Sequence, residues 1–160
     1  MDMANNQLDR IDKQILKELQ RNGRLSNQDL ADRVSLSPSP CLRRVRRLED
    51  EGYIKNYVAV VDPDKVGLGL LAYVSIRLNK IHRASHASMS DFASDVQVWP
   101  EVVECYAMTG DMDYLLRIQV EDLTAFSRFA MDKLMQHPAV IDMRSSFTLQ
   151  RIKETTEILV

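Results

Sequence analysis

The chain has 160 residues, 45% of them hydrophobic and 28% charged, with a net charge of −2 at pH 7. That length allows one medium domain or two small ones, and no apolar run approaches the roughly 18 residues that span a bilayer. The opening MDMANNQLDR has no apolar signal region, and Cys41 and Cys105 lie far apart with no CxxC pair, which points to a reducing cytoplasm rather than to secretion on a disulfide framework.

In chain order, Leu8, Ile11, Ile15, Leu16 and Leu19 form one stripe, predicting a first helix over residues 9–22 that Asn22-Gly23 stops. Ser26 followed by Asp29 starts a second, carrying Leu30, Ala31 and Val34. After SLSPSP comes a third, with a stripe of Cys41, Leu42, Val45 and Leu48. Ser37 is placed to cap it, Pro38 suits its first position, and Gly52 ends it. Two such helices around a tight turn read as a helix-turn-helix, whose second helix enters the DNA major groove. Tyr53 to Val61 is rich in Tyr, Ile and Val and predicts a strand-like wing. DPDKVGLG, residues 62–69, reads as a hinge.

Beyond it the periods change. Ala72, Val74, Ile76 and Leu78 alternate as a strand, and Met89, Phe92, Ala93 and Val96 follow helical spacing up to Trp99-Pro100. Val102–Thr109 and Tyr114–Val120 read as strands around the turn Gly110–Asp113. Asp122 caps a helix carrying Leu123, Phe126, Ala130 and Leu134, stopped by His137-Pro138, and Met143, Ser145, Phe147 and Leu149 alternate again. The order βαββαβ predicts an α+β chain: a winged helix-turn-helix over 1–61, a hinge, and a ferredoxin-like antiparallel domain over 70–160. With both helices on one face of the sheet, Tyr73, Tyr106 and Arg117 fall on the other, a half-apolar surface that wants a partner.

The third helix carries the chemistry of DNA binding. The net charge conceals a skew, eleven basic residues against nine acidic up to Val61 and ten against fourteen after it, and four arginines crowd Arg43–Arg47. At about 100° per residue, Ser39, Arg43, Arg46 and Arg47 point away from Val45 and Leu48, with Arg44 on the flank. Short polar side chains at the helix start permit close approach, and guanidinium forks reach guanine edges or phosphates. The alternative is a solvated face paired with Glu49, Asp50 and Glu51. The candidate DNA contacts are Ser37, Ser39, Pro40, Arg43, Arg44, Arg46 and Arg47.

This segment resembles the DNA-binding signature of the Lrp/AsnC (feast/famine) regulators, matched by Ser37, Arg44, Val45, Leu48 and Gly52. It departs at Ser35, where the family has Gly or Asn, a substitution that strains the turn if φ is positive there. LDRIDKQIL, YVAVVDPDKVGLGL and TGDMDYLL are similar to the family as well, so the resemblance runs nearly end to end. It implies a DNA-binding transcriptional regulator whose second domain pairs sheet to sheet into homodimers, assembling further into tetramers, octamers or open arrays. It also implies an amino-acid effector at the loop around Gly110.

The residues of that loop suit such a ligand. Backbone N–H groups at a glycine turn would take the carboxylate, Asp111 or Asp113 the ammonium, and Met108, Met112, Tyr114 and a neighbouring subunit an apolar side chain: leucine, methionine or another apolar amino acid by the character of the wall. The family motif carries over Gly110, Asp111, Asp113 and Tyr114; Arg144–Ser146 are weaker candidates for the same cleft. Gly and Asp also populate turns for conformational reasons alone.

Other chemistry finds little support. No Ser/His/Asp set, P-loop or GxGxxG occurs, so an enzyme of amino-acid metabolism has no catalytic constellation, and paired Asp111 and Asp113 have no accompanying partners. His82 and His86 have ligand spacing but no carboxylate or cysteine nearby, and read as surface residues, with no metal expected. Cys41 reads as a core thiol rather than a redox sensor. An architectural DNA-organising protein without an effector is the alternative.

Overall fold

The computed structural model describes residues 8–79 and 87–160. The chain divides into two compact units: the stretch up to Val60 together with Lys153–Val160, and Val61–Ile152. The last eight residues, expected with the second domain, thus group with the first. The reason is local pairing on the first helix. The Gln20 side chain donates to the Ile158 carbonyl (3.1 Å) and accepts the Ile158 N–H (2.7 Å), and Arg21 Nε meets Glu157 at 2.8 Å.

Three helices make the first unit: α1 (Arg10–Arg21), α2 (Asn27–Arg33) and α3 (Pro38–Asp50). Asp9 caps α1 in a reciprocal box with Asp12, and Ser26 caps α2 by accepting the Asp29 N–H. Ile15, Leu16, Leu30, Ala31, Val34, Cys41 and Leu48 form its core. Leu42, expected in the stripe, is 38% exposed. It lies about 100° round the helix from Cys41, at the stripe's edge. In the turn between α2 and α3, Ser35 has φ +56°, the left-handed conformation that disfavours any residue but Gly, Asn or Asp. The expected wing strand is a correction: from Lys55 to Asp62 the chain is irregular and no strand is assigned. Val58 and Val60 are 77% and 73% exposed. β propensity is present, but a strand needs a ladder, and none of the described residues supplies a neighbour.

In the second unit, residues 62–69 contain a single 3₁₀ turn, Asp64–Val66. The elements then run β1 (Leu70–Leu78), α4 (Ala87–Val98), β2 (Val102–Ala107), β3 (Tyr114–Val120), α5 (Leu123–Phe129) and β4 (Val140–Phe147). The sheet order is β2-β3-β1-β4 and every pair is antiparallel. Asp122 caps α5 as expected, and α5 runs on into a π turn over Ala130–Leu134. Ala72, Val74, Ile76, Leu116 and Ile118 meet Phe92, Val96, Phe126 and Phe129 in one core. Tyr73 lies opposite both Arg117 and Ser146, and Glu104 opposite Arg117, on the sheet face away from that core. Tyr73 and Tyr106 are 38% and 52% exposed there.

Candidate nucleic-acid interface and effector loop

The start of α3 is shaped by two prolines. Ser37 holds the N-cap position, but its side chain makes no cap hydrogen bond, contrary to expectation. An N-cap oxygen accepts from the second or third helical N–H, and the third residue here is Pro40, which has none. Pro38 lacks one too, so of the first three helical residues only Ser39 keeps a backbone donor for an anion. Asn27 Nδ2 donates to the Pro38 carbonyl at 2.9 Å and joins the start of α2 to the start of α3.

The four arginines divide into two pairs. Arg43 and Arg46 are exposed on the face opposite Cys41, Val45 and Leu48, and neither makes an ion pair among the described residues. With Ser39, Leu42 and Arg47 they line a surface recess of about 560 Å³, bounded at the helix end by Asp50 and Glu51. Arg44 instead turns toward α1, with Nη1 2.6 Å from Asp9 Oδ2 and 2.8 Å from Asp12 Oδ1. The hydrogen bonds it donates to Asp12 first, then Asp9, raise its pKa above the ordinary value. Arg47 reaches the same anchor, Nη2 2.5 Å from Asp12 Oδ2, with its side chain still 44% exposed. Asp9 is held below the ordinary carboxylate range, chiefly by the Asp12 backbone N–H and then by Arg44. Sequence reasoning missed Asp9 and Asp12. Their signal was two acids three apart at a helix start, the sequence mark of a cap.

The loop between β2 and β3 is pinned at its far side. Met108 N–H donates to the Asp113 carbonyl (2.8 Å), Asp113 N–H to the Ile76 carbonyl (2.7 Å), and Leu78 N–H to Asp113 Oδ2 (2.8 Å). Asp113 therefore ties the turn to β1. Gly110 has φ +107°, and a Cβ there would meet nothing within 4 Å, so the requirement for glycine is conformational. Asp111 is exposed and Met108 is 46% exposed. Tyr114 packs its ring 5.2 Å from Phe92, and burial above all raises its phenol pKa. Gly110, Asp111 and Asp113 thus share one turn, with Tyr114 leaving it for the core. Arg144 and Ser146 are elsewhere, at mid-strand beside Ser75 and Tyr73 on the edge strand opposite β2.

Burial raises the pKa of both free thiols, Cys41 and Cys105, away from reactive thiolate character. Among the described residues no three His, Cys, Asp or Glu side chains converge as a metal site; His82 and His86 lie outside them. No helix among the described residues is long and apolar enough to cross a membrane.

Comparison with known proteins agrees with both units. Residues 8–55 match a winged helix-turn-helix DNA-binding domain, and residues 71–158 match the Lrp/AsnC ligand binding domain. Over 153 residues the chain is 41% identical to the leucine-responsive regulatory protein of Klebsiella pneumoniae, covering 96% of this chain and 92% of that one. A transcriptional regulator of Neisseria meningitidis, solved as its L-Met complex, is 47% identical with a TM-score of 0.91, over 95% of this chain and 96% of that one. An AsnC family regulator from Agrobacterium tumefaciens is 40% identical with a TM-score of 0.87, over 94% and 96%. With both domains matched in order along nearly its whole length, this protein is a DNA-binding transcriptional regulator of the Lrp/AsnC family, and not an enzyme.

Proposed function

We propose that α3 reads DNA through the residues around its outward face and that the Gly110 loop senses an apolar amino acid. The observation that carries the DNA reading is the division of the arginines. Among the described residues Arg43 and Arg46 stand without ion pairs beside Ser39, ready for phosphates and base edges, while Arg44 and Arg47 are held by Asp12. Ser37 and Ser39 bring hydroxyls to the phosphates, and Pro40 keeps the approach small. Arg44 sits at the margin and supports Arg47. The test is titration of Arg43→Ala and Arg46→Ala against a duplex selected by the parent protein from a random pool, and against a scrambled duplex, at several salt concentrations. A lost phosphate contact weakens both duplexes alike and flattens the salt dependence by about one charge. A lost base contact costs about 1–3 kcal/mol on the selected duplex only. Parent-like binding by both variants would remove α3 from the interface.

For the effector, the Gly110 backbone takes the carboxylate and exposed Asp111 the ammonium, with Asp113 holding the turn and Tyr114 its base. Support comes from relatives that carry methionine in a complex or leucine in a name. Calorimetric titration across the twenty amino acids tests this, and silence from leucine and methionine would redirect it. The protein acts in the cytoplasm as a homodimer through the helix-free sheet face, and dimers associate into a tetramer of dimers. In keeping with this, the Nε atoms of Arg77 and Arg117 on that face are buried without an acceptor among the described residues. The effector couples to DNA by changing assembly, and so the spacing of the DNA-binding heads.

A further inference from the structure

We infer that Asp12, on α1, is a positioning residue for sequence readout: its buried carboxylate fixes Arg47, and through Arg44 the flank of α3, before DNA arrives. The inference rests on α3 being the DNA-contacting helix. Asp12 is only 1% exposed, yet both of its carboxylate oxygens are engaged. Oδ2 accepts the Asp9 N–H at 3.1 Å and Arg47 Nη2 at 2.5 Å, and Oδ1 accepts Arg44 Nη1 at 2.8 Å.

A cap for α1 does not need this arrangement. Asp9 already accepts the Asp12 N–H at 2.8 Å, and the Asp12 bond back to Asp9 completes the box with one oxygen lone pair. The remaining capacity of a buried anion goes to two arginines of another helix. A buried carboxylate is costly unless paired, so Asp12 draws both guanidinium groups and holds them. Arg47 spends one of its five N–H donors on Asp12 and keeps its side chain nearly half exposed beside the recess. Its free edge is therefore presented in one orientation, with the side-chain entropy of that ordering already lost before binding. A guanidinium aimed in advance suits two-point recognition of a guanine edge; a mobile one suits any phosphate. Arg43 and Arg46, unpaired, take the second part.

The two roles of Asp12 make opposite demands on a variant. Asp12→Asn removes one negative charge behind α3 and releases Arg47. In the full-length chain it should bind the selected duplex about tenfold more weakly while binding the scrambled duplex as tightly as the parent or more tightly. Asp12→Glu, which keeps the charge, should recover most of the selectivity. In an Arg47→Gln background, Asp12→Asn should change the selected-to-scrambled ratio far less than in the parent. An unchanged ratio in Asp12→Asn overturns the inference. So does equal weakening on both duplexes with a lowered Tm, which is what a mere cap would give. If Asp12→Asn does not fold, guanidinium NMR of the unaltered protein decides. Arg44 and Arg47 should be ordered without DNA, and Arg43 and Arg46 mobile; an Arg47 as mobile as Arg43 overturns it. Arg43→Ala on the same duplexes tells which premise failed. Parent-like binding there, matched by Arg46→Ala, removes α3 from the interface, whereas weakened binding beside an unchanged Asp12→Asn ratio removes only the role of Asp12.

Discussion

Ser26 and Ser37 occupy the same position at the start of two successive helices and do different work. Ser26 accepts the Asp29 N–H at 3.1 Å and donates to its carboxylate at 2.6 Å. Ser37 has no such partner because Pro40 stands where the donor would be. Ser26→Ala should therefore cost about 1 kcal/mol of stability, and Ser37→Ala less than about half that. The proposed phosphate contact would make Ser37→Ala weaken DNA binding instead. Urea denaturation of each variant, set beside its affinity for a scrambled duplex, checks the exchange. Equal destabilisation by both would mean that Ser37 caps in solution after all.

At the scale of elements, most of the fold was legible because each buried face repeats at its own period. Ile15 and Leu16 in α1, Val74 and Ile76 in β1, and Phe126 and Leu134 around α5 were all read from spacing and all lie in a core. Local chemistry also gave the Asp122 cap and the Gly52 stop, at φ +76°. What escaped depends on partners rather than on periods. The segment from Tyr53 to Val61 has the composition of a strand, but pairing is a property of two strands. Asp12 has the look of a cap, and its bonds to Arg44 and Arg47 join residues more than thirty positions apart. The loop near Gly110 was readable as a turn, whereas the anchoring of Asp113 to β1 was not. One tie does fix the extended segment: Tyr57 donates its hydroxyl to Glu49 on α3 at 2.9 Å. Burial first, then Glu49, pushes its phenol from the ordinary 10.0 up to about 12. The protonated form is the bonded one, so its stabilisation is complete below pH 10 and fades as pH rises through about 12. Alkaline difference spectroscopy of the parent against Tyr57→Phe should show that one tyrosine titrating late, and a Tyr57 midpoint near 10 would deny the tie.

For the whole molecule, sensing and DNA contact belong to units that fold around separate cores. Mutations can therefore part them. Asp111 is exposed and makes no side-chain bond among the described residues, so Asp111→Ala should keep its Tm and its affinity for the selected duplex while losing the effector's influence on that affinity. Asp113→Ala should cost stability first, about 1–3 kcal/mol, because the Leu78 N–H loses its acceptor. Thermal melts and duplex titrations with and without methionine or leucine separate the two. A fully responsive Asp111→Ala protein would move the ammonium acceptor elsewhere. Two-fold pairing of the second unit would also present two equivalent copies of α3. Preferred sites should then be pseudo-palindromes with halves about 34 Å apart or a multiple of that.

The return of Lys153–Val160 to α1 makes the DNA-binding unit discontinuous in sequence. A stop codon just after Ile152 is, in effect, a lesion in the head rather than in the tail. It strips Gln20 of Ile158 and Arg21 of Glu157 while leaving β1 to β4 whole. The same holds for laboratory practice. A tag inserted near Ile158 would fall on the segment that Gln20 grips, and so burden the half of the molecule it was meant to spare.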